Sequence, residues 1–230
     1  MRKFNRNWLA LLALVSLTAC SATGGPGNPL TRPFQYFSYL NGDDIRNSCA
    51  PGGQSQYRLV FNALYEQQVR SYDITQGYGE DVGLQKTRVF SRGFGSEIDV
   101  STSGLDFKSS FKSDENIDLE ALVSLDKALV SAGFEEPAME GLVLHSDEFY
   151  WIAMVCRDGN FKYYAWTKEI ADIAALPFIE ALSGADKTGS EVAEVKEPII
   201  HTRGGRPRGS GDTDSIGYFS LEVGDNGLKL

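Results

Sequence analysis

Two apolar runs that are apolar on both faces set the strongest limit on what this chain can fold into. Phe149 to Cys156 and Phe161 to Thr167 are joined by Arg157-Asp158-Gly159-Asn160, whose Asp-Gly centre is the clearest hairpin signal in the sequence. In the first run Trp151, Ala153 and Val155 alternate with Tyr150, Ile152, Met154 and Cys156. Successive residues of a strand point to opposite faces, so this hairpin must be covered on both sides and belongs at the centre of a sheet. Among 230 residues, 42% are apolar and 23% charged, enough to bury one ordinary domain or two small ones and too apolar for a disordered chain.

Other elements gather around that centre. Phe34 to Leu40 reads as an aromatic strand, and a helical turn follows near Asp44 to Ser48. Alternation over Tyr57 to Ile74 predicts an antiparallel pair, although its connection at Leu64-Tyr65-Glu66 lacks a strong turn residue. Further strands are expected at Leu84 to Phe90 and Glu97 to Ser101. The clearest helix spans Asp118 to Ala132: Leu119, Leu122, Val123, Leu125, Leu129 and Val130 recur at three- and four-residue steps, Asn116 or Asp118 can cap its start, and Gly133 follows. A second helix is expected over Glu169 to Leu182, kinked or restarted at Pro177. The small and charged stretch after it suggests a mobile linker, and strands are expected at Ile199 to Thr202 and Ile216 to Val223. The prediction is a single α+β domain over residues 34–182, with a mainly antiparallel sheet and two main helices. A polar linker at 183–198 and C-terminal strands with an Arg/Gly-rich loop at 199–230 complete it.

The first twenty residues read as an address. Arg2, Lys3 and Arg6 precede an apolar run from Trp8 to Ala19. At about 1.5 Å per residue this run covers only ~18 Å, short of the roughly 30 Å hydrocarbon core, which favours an export signal over a permanent span. It closes on Leu17-Thr18-Ala19-Cys20, which resembles the lipobox of bacterial lipoprotein signal peptides. The resemblance covers residues 1–20 only. It implies cleavage before Cys20, diacylglycerol on the Cys20 thiol and acylation of the new amine. Ser21 follows where an Asp would favour the inner membrane, so it also implies the periplasmic face of the outer membrane. Residues 20–33, with four glycines or prolines among Gly24 to Gly27 and further prolines at Pro29 and Pro33, read as a flexible tether. Loss of residues 1–19 removes three of the 22 basic side chains and none of the 31 acidic ones, leaving 19 against 31. A chain so acidic is poorly suited to coating nucleic acid, and no nucleic-acid partner is expected.

With Cys20 acylated, Cys49 and Cys156 remain as a pair in an oxidising space, and they are expected to form a disulfide. Neither has a second cysteine close enough for a redox or zinc motif. Catalytic signatures are missing: His145 and His201 are the only histidines, and His145-Ser146-Asp147-Glu148 reads as a polar turn ahead of a strand. Two S-x-x-K strings, Ser109 to Lys112 and Ser124 to Lys127, and the Lys187-Thr188-Gly189 triplet match pieces of the serine β-lactamase pattern, but in the wrong settings and without S-D-N. No catalytic residue, cofactor or metal is assigned. Two features can serve binding. Tyr150, Trp151, Tyr163 and Trp166 can offer ring faces to a sugar, with core packing as the bland alternative, and Arg203, Arg206 and Arg208 can meet an anion or a protein partner.

The role that follows is a non-enzymatic accessory or scaffold subunit, held to a membrane by lipid and serving an envelope protein partner. A periplasmic binding module for a cell-wall glycan or small ligand is the alternative, and an unrecognised hydrolase the third; whether the chain is an enzyme stays open, with the non-enzymatic role preferred.

Overall fold

A computed structural model describes residues 36–65, 67–77, 83–91, 98–101, 104–107, 109–196 and 219–230. Two short helices come first, α1 (Tyr36–Asn41) and α2 (Asp43–Ser48), followed by β1 (Gln56–Ala63), β2 (Gln68–Gln76), β3 (Gly83–Ser91), β4 (Ile98–Ser101), β5 (Gly104–Phe107) and β6 (Phe111–Ile117). After the long helix α3 (Leu119–Ser131) the chain forms β7 (Val143–His145), β8 (Phe149–Arg157), β9 (Asn160–Thr167), α4 (Phe178–Ser183), β10 (Ser220–Val223) and β11 (Leu228–Lys229). The fold is α+β. Its main sheet is antiparallel with the order β6-β3-β2-β1-β8-β9; β11-β10-β7 and β4-β5 form two smaller sheets.

The two-sided hairpin produces a three-layer body. Arg157 pairs with Asn160, and Asp158 and Gly159 both have positive φ, 51° and 76°, as a tight turn matched to strand twist requires. On one face Leu59, Phe61, Trp151, Ala153 and Val155 pack under Leu122, Leu125 and Leu129 of α3 and Phe178 and Leu182 of α4. On the other, Val60, Tyr150, Ile152, Met154 and Tyr163 meet Leu40, Ile45, Leu144, Leu221 and Val223. Strand β8 is therefore buried along almost its whole length, flanked by β1 and β9. Strand β9, expected beside it at the centre, is the sheet's last strand. Its edge is closed by one side chain: Asn226 accepts from Tyr163 N at 2.7 Å and donates to Phe161 O at 2.9 Å, imitating a neighbouring strand.

Several expectations are corrected. The aromatic segment at 34–40 is helical from Tyr36, not a strand, because tertiary contacts outweigh strand propensity. Leu40 is driven against the sheet, while buried Asn41 accepts from Leu228 N at 2.7 Å and donates to Asp43 at 2.6 Å. Gly42 links the two helices at φ 66°, with Met154 so close that an added Cβ would lie 3.0 Å from its Cγ. The expected helix from Glu169 is present only as α4, after Pro177; the preceding residues form turns that bury Ile173 and Leu176. Among the described residues α3 is therefore the one long helix, where two were expected. It is capped as expected, with Asp118 accepting from Ala121 N at 2.8 Å. The turn between β1 and β2 needs no glycine, since Leu64 itself takes φ 54°. The strand expected at Ile199 to Thr202 lies outside the described residues, and the last one begins at Ser220.

Candidate functional site

The four proposed ligand aromatics are interior. Tyr150, Trp151, Tyr163 and Trp166 are each no more than 1% exposed. Trp151 stacks on Phe61 at 4.7 Å and donates to Ile173 O at 3.2 Å, and Trp166 donates to Ala132 O at 2.7 Å beside Tyr164 and Phe178. Tyr150 and Tyr163 point into the opposite layer, where burial pushes both phenols up. Their ring faces are spent on packing and none is offered to a sugar. Cys20, His201, Arg203, Arg206 and Arg208 lie outside the described residues.

Cys49 and Cys156 are bonded, with Cα atoms 5.7 Å apart and a sequence separation of 107. Cys49 caps the end of α2, and Cys156 pairs with Gln56 at the start of β1, so the bond clamps the α1–α2 layer to the sheet. His145 ends β7, and Ser146 ties two segments together: its backbone bonds Phe219 O and Tyr65 N, and its hydroxyl accepts from Phe219 N at 3.0 Å.

Two arginines organise the polar interior. Arg58, on β1, places both terminal nitrogens on the Asp44 carboxylate at 2.8 Å and its Nε on Asp73 at 2.5 Å, while its carbon lies 3.7 Å from the centre of the Tyr39 ring. Burial opposes this charge, but Asp73, Tyr39 and Asp44 outweigh it and hold Arg58 well above its ordinary pKa. Tyr39 in turn donates to Asp73 at 2.6 Å. This cluster pins α1 and α2 to β1 and β2.

The second arginine, Arg70 on β2, faces the α3–α4 side and is fully buried. It pairs with Asp186 Oδ2 and donates to Ser190 O at 2.7 Å and Glu191 O at 3.0 Å. The other Asp186 oxygen accepts from Thr188 N at 3.0 Å and Thr188 Oγ1 at 2.6 Å, and Gly189 follows at φ 71°. Residues 186–189 thus form a turn in which Thr188 holds the Asp186 carboxylate, and the Lys187-Thr188-Gly189 triplet serves this turn and does not lie on a core strand. Around Arg70, Gln68 donates to Glu191 O at 3.1 Å and accepts from Ala193 N at 3.0 Å; Gln85 donates to Leu182 O at 2.9 Å, and Ser113 accepts from Lys187 N at 3.2 Å. The stretch expected to be a mobile linker is therefore laid on the sheet through residue 193. Sequence reading missed this site because the pair joins positions 70 and 186 and no local pattern marks either one.

Beside it, a recess of about 210 Å³ opens between α3 and α4, lined by Ile74, Gln85, Asn116, Asp118, Leu125 and Ala185. It is smaller than the ~300 Å³ at which small-molecule sites begin. Among the described residues no helix is long and apolar enough to cross a membrane. No protein-family model, curated protein or solved structure matches the chain.

Proposed function

We propose that the chain is an envelope lipoprotein, anchored through Cys20 on the periplasmic face of the outer membrane, whose domain acts as a non-enzymatic accessory or scaffold subunit for an envelope protein partner. The observation that carries this reading is the disulfide between Cys49 and Cys156, a bond that persists in oxidising spaces and rarely in the cytosol. It agrees with the charged start, short apolar run and lipobox-like Leu17 to Cys20. Several acyl chains at about 0.8 kcal/mol per buried methylene would hold the domain on the bilayer durably. The glycan-binding reading is not carried forward, since Tyr150, Trp151, Tyr163 and Trp166 are packed inside. Arg203, Arg206 and Arg208 remain candidates for contact with an anionic group of the partner or the envelope.

The test is fractionation of cells producing the wild type or Cys20→Ala. The wild type should sediment with outer membranes and resist salt extraction, and the variant should leave the membrane fraction. A wild type recovered in the soluble fraction, or a Cys20→Ala protein still firmly bound, would reject the anchor.

A further inference from the structure

The sheet face around Arg70 holds a segment that has no helix or strand of its own, and holds it mainly by its backbone. Ser113 takes Lys187 N, Arg70 takes Ser190 O and Glu191 O, and Gln68 takes Glu191 O and Ala193 N. Two of its polar side chains are read: Asp186 by Arg70 with help from Tyr72 at 3.4 Å, and the Thr188 hydroxyl, which accepts from Arg70 at 3.5 Å. A surface that recognises main chain, one carboxylate and the hydroxyl two positions on tolerates variety in the remaining polar side chains, as in peptide-recognition grooves.

We infer that this face of β2, β3 and β6 is a peptide-binding groove, filled here by the chain's own Asp186–Ala193, and that it accepts in its place an extended acidic segment of a partner protein. The fitting segment carries an aspartate with a hydroxyl residue two positions on, because Thr188 N and Oγ1 hold the Asp186 carboxylate ready for the guanidinium. The resident occupant is suited to leave. Ala185, Ala193 and Val195 are its half-buried apolar contributions to the core, and Val192 is 41% exposed. When it lifts, Arg70 gains water in exchange for Asp186, which spares the cost of a buried unpaired charge. The inference deepens the scaffold reading and rests on it for the existence of a partner, while the groove itself stands on the geometry.

The experiment uses the full mature protein in detergent and a fluorescent synthetic peptide with the sequence of residues 184–196. Ala193→Pro removes a hydrogen bond of the resident segment and alters no groove residue; Asp186→Ala removes its carboxylate. Hydrogen exchange reports whether the amides of 184–196 lose protection while those of Leu59 and Ile152 keep theirs. A variant whose segment is freed should bind the peptide at least tenfold more tightly than the wild type, and a peptide with the Asp186→Ala change should lose that binding. A freed groove that binds neither peptide, or both equally, overturns the inference. So does a segment that neither substitution can free without unfolding the sheet. Peptide binding is read on purified protein, so its failure is distinct from failure of the anchor, which cell fractionation reads.

Discussion

Opening the Cys49–Cys156 bond should cost the fold several kcal/mol, because its effect lies chiefly in the unfolded chain. The bond spans 107 positions, and in the chain-entropy model a loop of about a hundred residues contributes ~4.7 kcal/mol at 25 °C. In the folded state Cys49 is held by α2, and Gln56 pairs with Cys156, so the two residues stay neighbours without the bond. Little native order is therefore lost, and the unfolded-state term should be felt nearly in full. Cys49→Ser is the suitable perturbation, since Cys49 is half-buried whereas Cys156 packs in the core. For a domain of this size about 1 kcal/mol moves the melting temperature by roughly 2–4 °C, giving an expected drop of about 9–19 °C. Urea and thermal unfolding followed by the fluorescence of the buried Trp151 and Trp166 would read it, with reductant-treated wild type as a second route to the same state. Equal unfolding midpoints for oxidised wild type, reduced wild type and variant would refute the reasoning.

Three further outcomes follow from particular contacts. Gly159→Ala should destabilise by more than about 1 kcal/mol in urea melts, since φ is +76° and the new Cβ would lie 2.5 Å from Pro51 N; a neutral result would show that the turn can shift. Asn226→Ala removes the cap on β9 and should cost about 1–3 kcal/mol while speeding exchange of the Tyr163 amide, and unchanged exchange there would contradict the capping role. The third concerns acid. Burial opposes the charge of Asp44, but Arg58 and its hydrogen bonds outweigh it and lower the pKa, so the stability Asp44 contributes is present above the ordinary carboxylate value of about 3.9 and is lost as pH falls through the lowered folded value. Asp44→Asn should flatten that acid loss in unfolding midpoints measured across the window. The flattening should be small, because the Asp44 side chain is 62% exposed, and a steeper loss would contradict the sign.

What was legible in the sequence had a local cause. The Asp158-Gly159 turn, the apolar spacing of α3 with its Asp118 cap, and the two cysteines left once Cys20 is set aside each state their structure within a short window or by simple pairing. What was not legible depends on contacts distant in sequence. Tyr36 to Leu40 is rich in strand-forming aromatics and folds as a helix because α1 must fit between the sheet and the C-terminal strands, with Tyr36 5.9 Å from Phe219. Strand β6 carries Lys112, Asp114 and Glu115, charges suited to an edge that give it no apolar run to detect. The polar composition of 183–196 does resemble a free linker; Arg70, Gln68 and Ser113, all distant in sequence, make it part of the body. Sites follow the same division. Aromatics that look like a ligand platform are what a two-sided hairpin needs for its own core, whereas the groove around Arg70 is assembled from β2, β3 and β6 and has no linear signature.

The compartment decides the partner this domain can meet, and intact-mass spectrometry of protein extracted from native membranes tests it most directly. The account predicts a chain beginning at Cys20 that carries a diacylglycerol and an amide-linked acyl chain, and two hydrogens lighter for the bond between Cys49 and Cys156. A mass that retains residues 1–19, or a chain starting at Cys20 with a bare thiol and amine, would contradict it.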